Sequence, residues 1–119
     1  MAAPNIKNPT TITGKTARYS PTTVIGAALT NAASSGKVLK INSIFCANIN
    51  GTNSADISVS YYDGSVDEYI AYVITVPAKA TQIISTKETY FYVEEGHGIR
   101  AIASANLYLQ IIIGYEEIS

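Results

Sequence analysis

Charge is scarce in this chain. Only 14% of its 119 residues are Asp, Glu, Lys or Arg, and the formal net charge is -1. Ordinary soluble domains carry about 25% charged residues. So weakly charged a surface has little colloidal repulsion, which favours a chain that buries much of itself in an assembly over a free monomer. The 8 basic residues are scattered, and no Lys/Arg run could neutralise a row of phosphates, so nucleic acid is not an expected partner. Long apolar runs are lacking too. "IIIG", at Ile111 to Gly114, falls far short of the ~20 residues a spanning helix needs, so no membrane partner is expected. The opening "MAAPNIKNPT" shows neither the basic region nor the apolar core of a signal peptide. Cys46 is the only cysteine, so no intrachain disulfide can form, and synthesis in a reducing compartment is the expectation.

Chemistry-bearing residues are also few. The single histidine, His97, lies in "VEEGHGIR" with two carboxylates and one of the two arginines. A metal site needs three or four converging ligands. Here the lone cysteine is distant, and Glu94 and Glu95 are adjacent, so in an extended strand they point to opposite faces. His97 as a general base would need a nucleophile and an orienting group nearby. No G-x-S-x-G elbow, G-x-G-x-x-G fingerprint or Walker-type phosphate loop occurs. The reading is a non-enzymatic chain with no catalytic residue, no metal and no cofactor. Gly96 and Gly98 then mark a hairpin turn joining "TYFYV" to "IRAIASA", with His97 at a solvent-exposed tip. The "YEE" near the C-terminus reads as a solvated strand end.

What the chain does have is strand signal. Nine tyrosines, many Thr, Val and Ile, and turn residues at short intervals point to an all-β chain. In "KVLKINSIFCANIN", Leu39, Ile41, Phe45, Ala47 and Ile49 share one parity, and Lys40, Asn42, Asn48 and Asn50 the other. Period two predicts one buried and one wet face. Cys46 has the parity opposite to Phe45 and is expected as a small apolar-like group at a packed surface. "ADISVSYY" alternates Ala55, Ile57, Val59 and Tyr61 against Asp56, Ser58 and Ser60. Asp63-Gly64 is a hairpin signal, and "SVDEYIAYVITV" returns until Pro77 ends it. "TTVIGAALT", "TQIIS", "TYFYV", "IRAIASA" and "LYLQIIIGYEEI" complete roughly eight strands, the pattern of an antiparallel β-sandwich of jelly-roll type. Tyr61, Tyr69, Tyr72, Tyr90, Tyr92 and Tyr108 fall inside these strands and read mainly as core or interface residues. Residues 1–20, poor in large apolar groups, are expected as an extended arm with at most a short edge strand in "TTITG". Residues 21–119 are expected to form the sandwich. An arm of this kind is either a loose tail or a clamp added as a strand to a neighbour.

Together, "MAAPNI", "TITGKTA", "TNAASSGKVLKINSI", "NINGTNSADISVSYYDG", "VPAKAT", "YVEEGHGIRAIASANL" and "GYEEIS" resemble a group of small virion proteins of tailed bacteriophages, those of marine bacteria and cyanobacteria. The similarity runs over nearly the whole chain. It implies a β-sandwich subunit built into a virion in many copies, assembled in the bacterial cytoplasm, most simply a capsid decoration (cement) protein. The implied partners are the major capsid protein or other virion proteins and further copies of the chain, with a trimer as the first expectation. A neck, tail or fibre-attachment protein is the alternative position, and a carbohydrate-binding host-adhesion module the alternative class. The expected contact residues are Pro4, Asn5, Ile6, Thr10 and Ile12 of the arm, and Tyr108, Gln110 and Ile112 on the second face of the last strand.

Overall fold

A computed structural model of the protein describes residues 4–119. Among these residues there are nine strands and one 3₁₀ turn, at Lys87–Thr89, so the all-β expectation holds. The strands are β1 (Ile12–Tyr19), β2 (Gly26–Thr30), β3 (Val38–Asn48), β4 (Ala55–Tyr62), β5 (Asp67–Val76), β6 (Thr81–Ser85), β7 (Phe91–Val93), β8 (Gly98–Ala103) and β9 (Leu109–Ile118). The first sheet has the order β1-β9-β3-β6, with β7 also pairing β3; the second has the order β2-β8-β4-β5. All pairings are antiparallel.

The connectivity is that of one long hairpin rolled up on itself. Its tip is the β4–β5 turn; outward from it β3 pairs β6 and β7, β2 pairs β8, and β1 pairs β9. Successive pairs fall alternately in the two sheets, which is the winding of a jelly roll. The tip is fixed locally. Gly64 adopts φ 94°, a region closed to most side chains. The Asp63 carboxylate accepts the N–H groups of Ser65 at 2.9 Å and Val66 at 2.8 Å. Those two bonds hold the carboxyl below its usual range.

The core lies between the sheets. Ile41, Ile44, Cys46, Leu109, Ile111 and Ile113 from the first meet Ile57, Val59, Val76, Ile99 and Ala101 from the second. Each Ile, Leu or Val buried this completely contributes about 1.5–3 kcal/mol relative to exposure. In β4 the alternation is as expected, with Ala55, Ile57 and Val59 in the core. The opposite face is less wet than its composition suggests. Ser58 and Ser60 are buried, because Ser58 Oγ accepts the Val73 N–H at 2.8 Å and Ser60 Oγ donates to Asp67 at 2.8 Å.

Three expectations are corrected. The alternation of β3 does not run through the whole strand. Its register against β9 shifts between Ile41 and Ser43, and the extra residue of this bulge, Asn42, inverts the parity after it. Ile44 and Cys46 are therefore in the core, and Phe45 faces out. Secondly, "TYFYV" and "IRAIASA" are not hairpin partners. β7 pairs β3 in the first sheet and β8 pairs β4 and β2 in the second, so "VEEGHGIR" carries the chain from one sheet to the other. Thirdly, residues 12–19 form a full strand against β9, well beyond "TTITG". Only Ala17 and Tyr19 of β1 pack on the core, which is why its sequence lacks a strong apolar pattern.

Candidate functional site

The turn around His97 is the first place to look for chemistry. The His97 N–H donates to the Glu94 carbonyl at 3.1 Å, and Gly96 supplies φ 79°. Gly98 is needed for a different reason: a Cβ there would stand 2.7 Å from the Leu29 carbonyl oxygen. The buried Asn31 ties the turn to its surroundings. Its N–H donates to the His97 carbonyl, its carbonyl accepts the Gly96 N–H, and its amide donates to Lys37 and Val93 carbonyls. The Glu95 carboxylate accepts the Gly36 N–H at 2.9 Å. His97 is half-buried rather than an exposed tip, and its Nδ1 lies 2.7 Å from the Tyr61 hydroxyl. That hydroxyl also accepts the Glu94 N–H at 3.3 Å, and burial raises it above the usual tyrosine range. These polar groups hold backbone and one another. Among the described residues, no three His, Cys, Asp or Glu side chains come together as metal ligands.

Nearby, Arg100 bridges β8 to β5 through Asp67 at 2.9 Å and stacks on the Tyr62 ring at 4.2 Å. At the far end of the first sheet, Glu117 lies 3.0 Å from both Lys15 and Lys37. Hydrogen bonds from the two ammonium groups hold its carboxyl below the usual range. Both clusters brace strands against one another.

The surface is more informative. On the outer face of the first sheet, the register places Arg18 opposite Ile112, Ile112 opposite Phe45 and Phe45 opposite Ile83. Ile112 and Phe45 are each 38% exposed and Ile83 53%. These residues make one row across β1, β9, β3 and β6. Isolated exposed apolar groups are ordinary; a contiguous row makes this face a candidate contact surface. Beside it the next row in one direction is Gln110, Ala47 and Thr81. In the other direction lie Thr16, Gly114 and Ser43, then Gly14, Glu116, Lys40 and Tyr92.

The expected contact residues divide. Gln110 and Ile112 are exposed on this outer face. Tyr108 precedes β9 and is half-buried against the core, with its carbonyl accepting the Ile49 N–H. In the arm, Asn5 and Asn8 close a turn, and Ile6 is exposed. Pro4 is half-buried and Thr10 exposed. The Thr10 N–H donates to the Ser119 carbonyl at 2.6 Å, and Ile12 lies opposite Ile118. Thr10 and Ile12 therefore lie against the chain's own last strand. Two contact candidates escaped the sequence: Phe45, hidden by the bulge, and Ile83, on a strand too short for a clear period.

A second exposed apolar region lines β5, the edge of the second sheet. Tyr72 is 67% exposed and Tyr69 47%, with ring centroids 4.8 Å apart, and Val73 and Ile70 flank them. Tyr90 is exposed as well, so these three tyrosines are surface groups rather than core. Two register shifts in the β4–β5 pairing bend this edge, a device that discourages indiscriminate strand addition.

The fold and these surfaces define a jelly-roll β-sandwich with exposed apolar faces. No family model matches the chain, and no curated protein matches it.

Proposed function

We propose that the protein is a structural, non-enzymatic subunit of a tailed-phage virion, a capsid decoration protein that binds the major capsid protein and stabilises the head shell. The observation that carries this reading is the contiguous apolar row Ile112–Phe45–Ile83 on a surface otherwise poor in charge. Burial of such a row against neighbours supplies association energy in proportion to area. Two further features support it. The jelly roll is a fold on which capsid proteins are built, an argument by fold analogy alone. The resemblance read from the quoted segments to small phage virion proteins is what suggests a virion as the place of assembly. Ile6 and Ile12 of the arm, both exposed, add apolar contacts beside the sheet. A neck or tail position uses the same surfaces and differs in copy number.

The test is binding of the purified protein to capsid shells that lack it. Saturable binding at a fixed ratio to the major capsid protein is expected; shells that take up none contradict the proposal. The exposed Tyr69–Tyr72 pair favours one second reading, a carbohydrate-binding adhesion module, since lectins also use this fold. Glycan binding that is lost in Tyr72→Ala would favour that reading.

A further inference from the structure

We propose that the outer face of the first sheet is the contact face of a two-fold homodimer, with the axis parallel to the strands and passing between β9 and β3. The rows on that face are complementary to their own reversal. Turned about this axis, the row Arg18–Ile112–Phe45–Ile83 meets the same row in opposite order, so Ile112 faces Phe45 of the second copy and Phe45 faces its Ile112. Ile83 of the second copy falls at Arg18, beside a groove lined by Arg18, Gln110 and Ile112.

The charged row obeys the same symmetry. Its order is Gly14–Glu116–Lys40–Tyr92, so Glu116 faces Lys40 of the second copy and Lys40 faces its Glu116. Within the chain neither has an ion-pair partner among the described residues. Lys40 lies over the Tyr90 ring and Glu116 accepts one hydrogen bond from Asn42 at 3.3 Å. The row between them, Thr16–Gly114–Ser43, is small enough to let two sheets approach. An isologous contact requires one patch to complement itself. Here apolar meets apolar and opposite charges meet in one operation. An axis on β9 would set Glu116 against Glu116, one on β3 would set Lys40 against Lys40, and one displaced further towards β1 or β6 would leave Phe45 or Ile112 uncovered. This inference concerns the purified chain in solution and engages the same row as the capsid reading: a copy seated here leaves the exposed Ile6 and Ile12 of the arm to meet the capsid protein.

The experiment is sedimentation equilibrium of the purified chain at up to about 100 μM, above the micromolar dissociation constant expected of a small interface. Wild type is expected as a dimer. Glu116→Lys alone and Lys40→Glu alone each set like charges face to face, and each should weaken the dimer about tenfold or more. An equimolar mixture of the two variants pairs every charge correctly and should dimerise again. Circular dichroism of each variant confirms that it is folded. Recovery in the mixture supports this face and this axis, because a defect within one chain would not be repaired by the other. A wild-type monomer at these concentrations, a trimer, or a mixture no better than the single variants would overturn the proposal.

Discussion

The Tyr61 hydroxyl lies 2.7 Å from Nδ1 of His97, although 36 residues separate them in sequence. It also accepts the Glu94 N–H, so one side chain of β4 holds both ends of the turn that crosses between the sheets. Tyr61→Phe removes both bonds and leaves the ring in place. A loss of about 1–2 kcal/mol in urea unfolding is expected. A variant as stable as wild type would mean the turn is held by Asn31 and Glu95 alone.

The Asn42 bulge makes two adjacent residues unequal. Ile44→Ala empties a fully buried site and is expected to cost about 2–5 kcal/mol. Phe45→Ser, one position later, truncates a partly exposed side chain on the outer face and should cost about 1 kcal/mol, clearly less than the core change. Equal costs in denaturant unfolding would contradict the inverted parity.

That bulge also shows what the sequence could and could not disclose. The class of fold was legible, because β4 alternates apolar and polar residues, Leu109, Ile111 and Ile113 of β9 share one buried parity, and Asp63-Gly64 sits where a hairpin turn must. The parity of β3 beyond Asn42 was not, since an inserted residue leaves no mark on the apolar pattern except that two alternations disagree. Nor was the partner of each strand: in a rolled hairpin, β7 and β8 are neighbours in sequence and lie in different sheets. The exposed outer face of the first sheet was half legible. Gln110 and Ile112 follow from the parity of β9, whereas Phe45 joins them only once the bulge is known.

Cys46 is fully buried, and burial alone pushes its thiol up to about 11. At neutral pH it is neutral and shielded on both counts. Native protein should resist iodoacetamide, and denatured protein should be alkylated completely. Rapid labelling of native protein, followed by mass spectrometry, would place Cys46 outside the core.

Glu117 gives stability a defined pH dependence. Lys15 and Lys37 hold its carboxyl below the ordinary value of 4.5 in the folded chain. The folded state therefore binds the proton less well than the unfolded one. The resulting stabilisation is present above that ordinary value and is lost as pH falls through the folded one. Lys15 is raised from 10.5 by the same contact, so its share is present below that value and fades only in strong alkali. Glu117→Gln should be less stable than wild type at pH 7, with the difference closing as pH falls through the lowered folded value. A difference in melting temperature that is unchanged by acid would show that the lysines do not act through this carboxylate.

The central claim is that this jelly roll is a repeated structural subunit of a virion head. Its copy number in purified particles, measured by quantitative mass spectrometry against the major capsid protein, tests that claim most directly. The account predicts hundreds of copies in a fixed ratio to the capsid protein, lost together with head stability when its gene is deleted. Six or twelve copies would move it to a neck or tail ring, and particles that contain none would contradict the account.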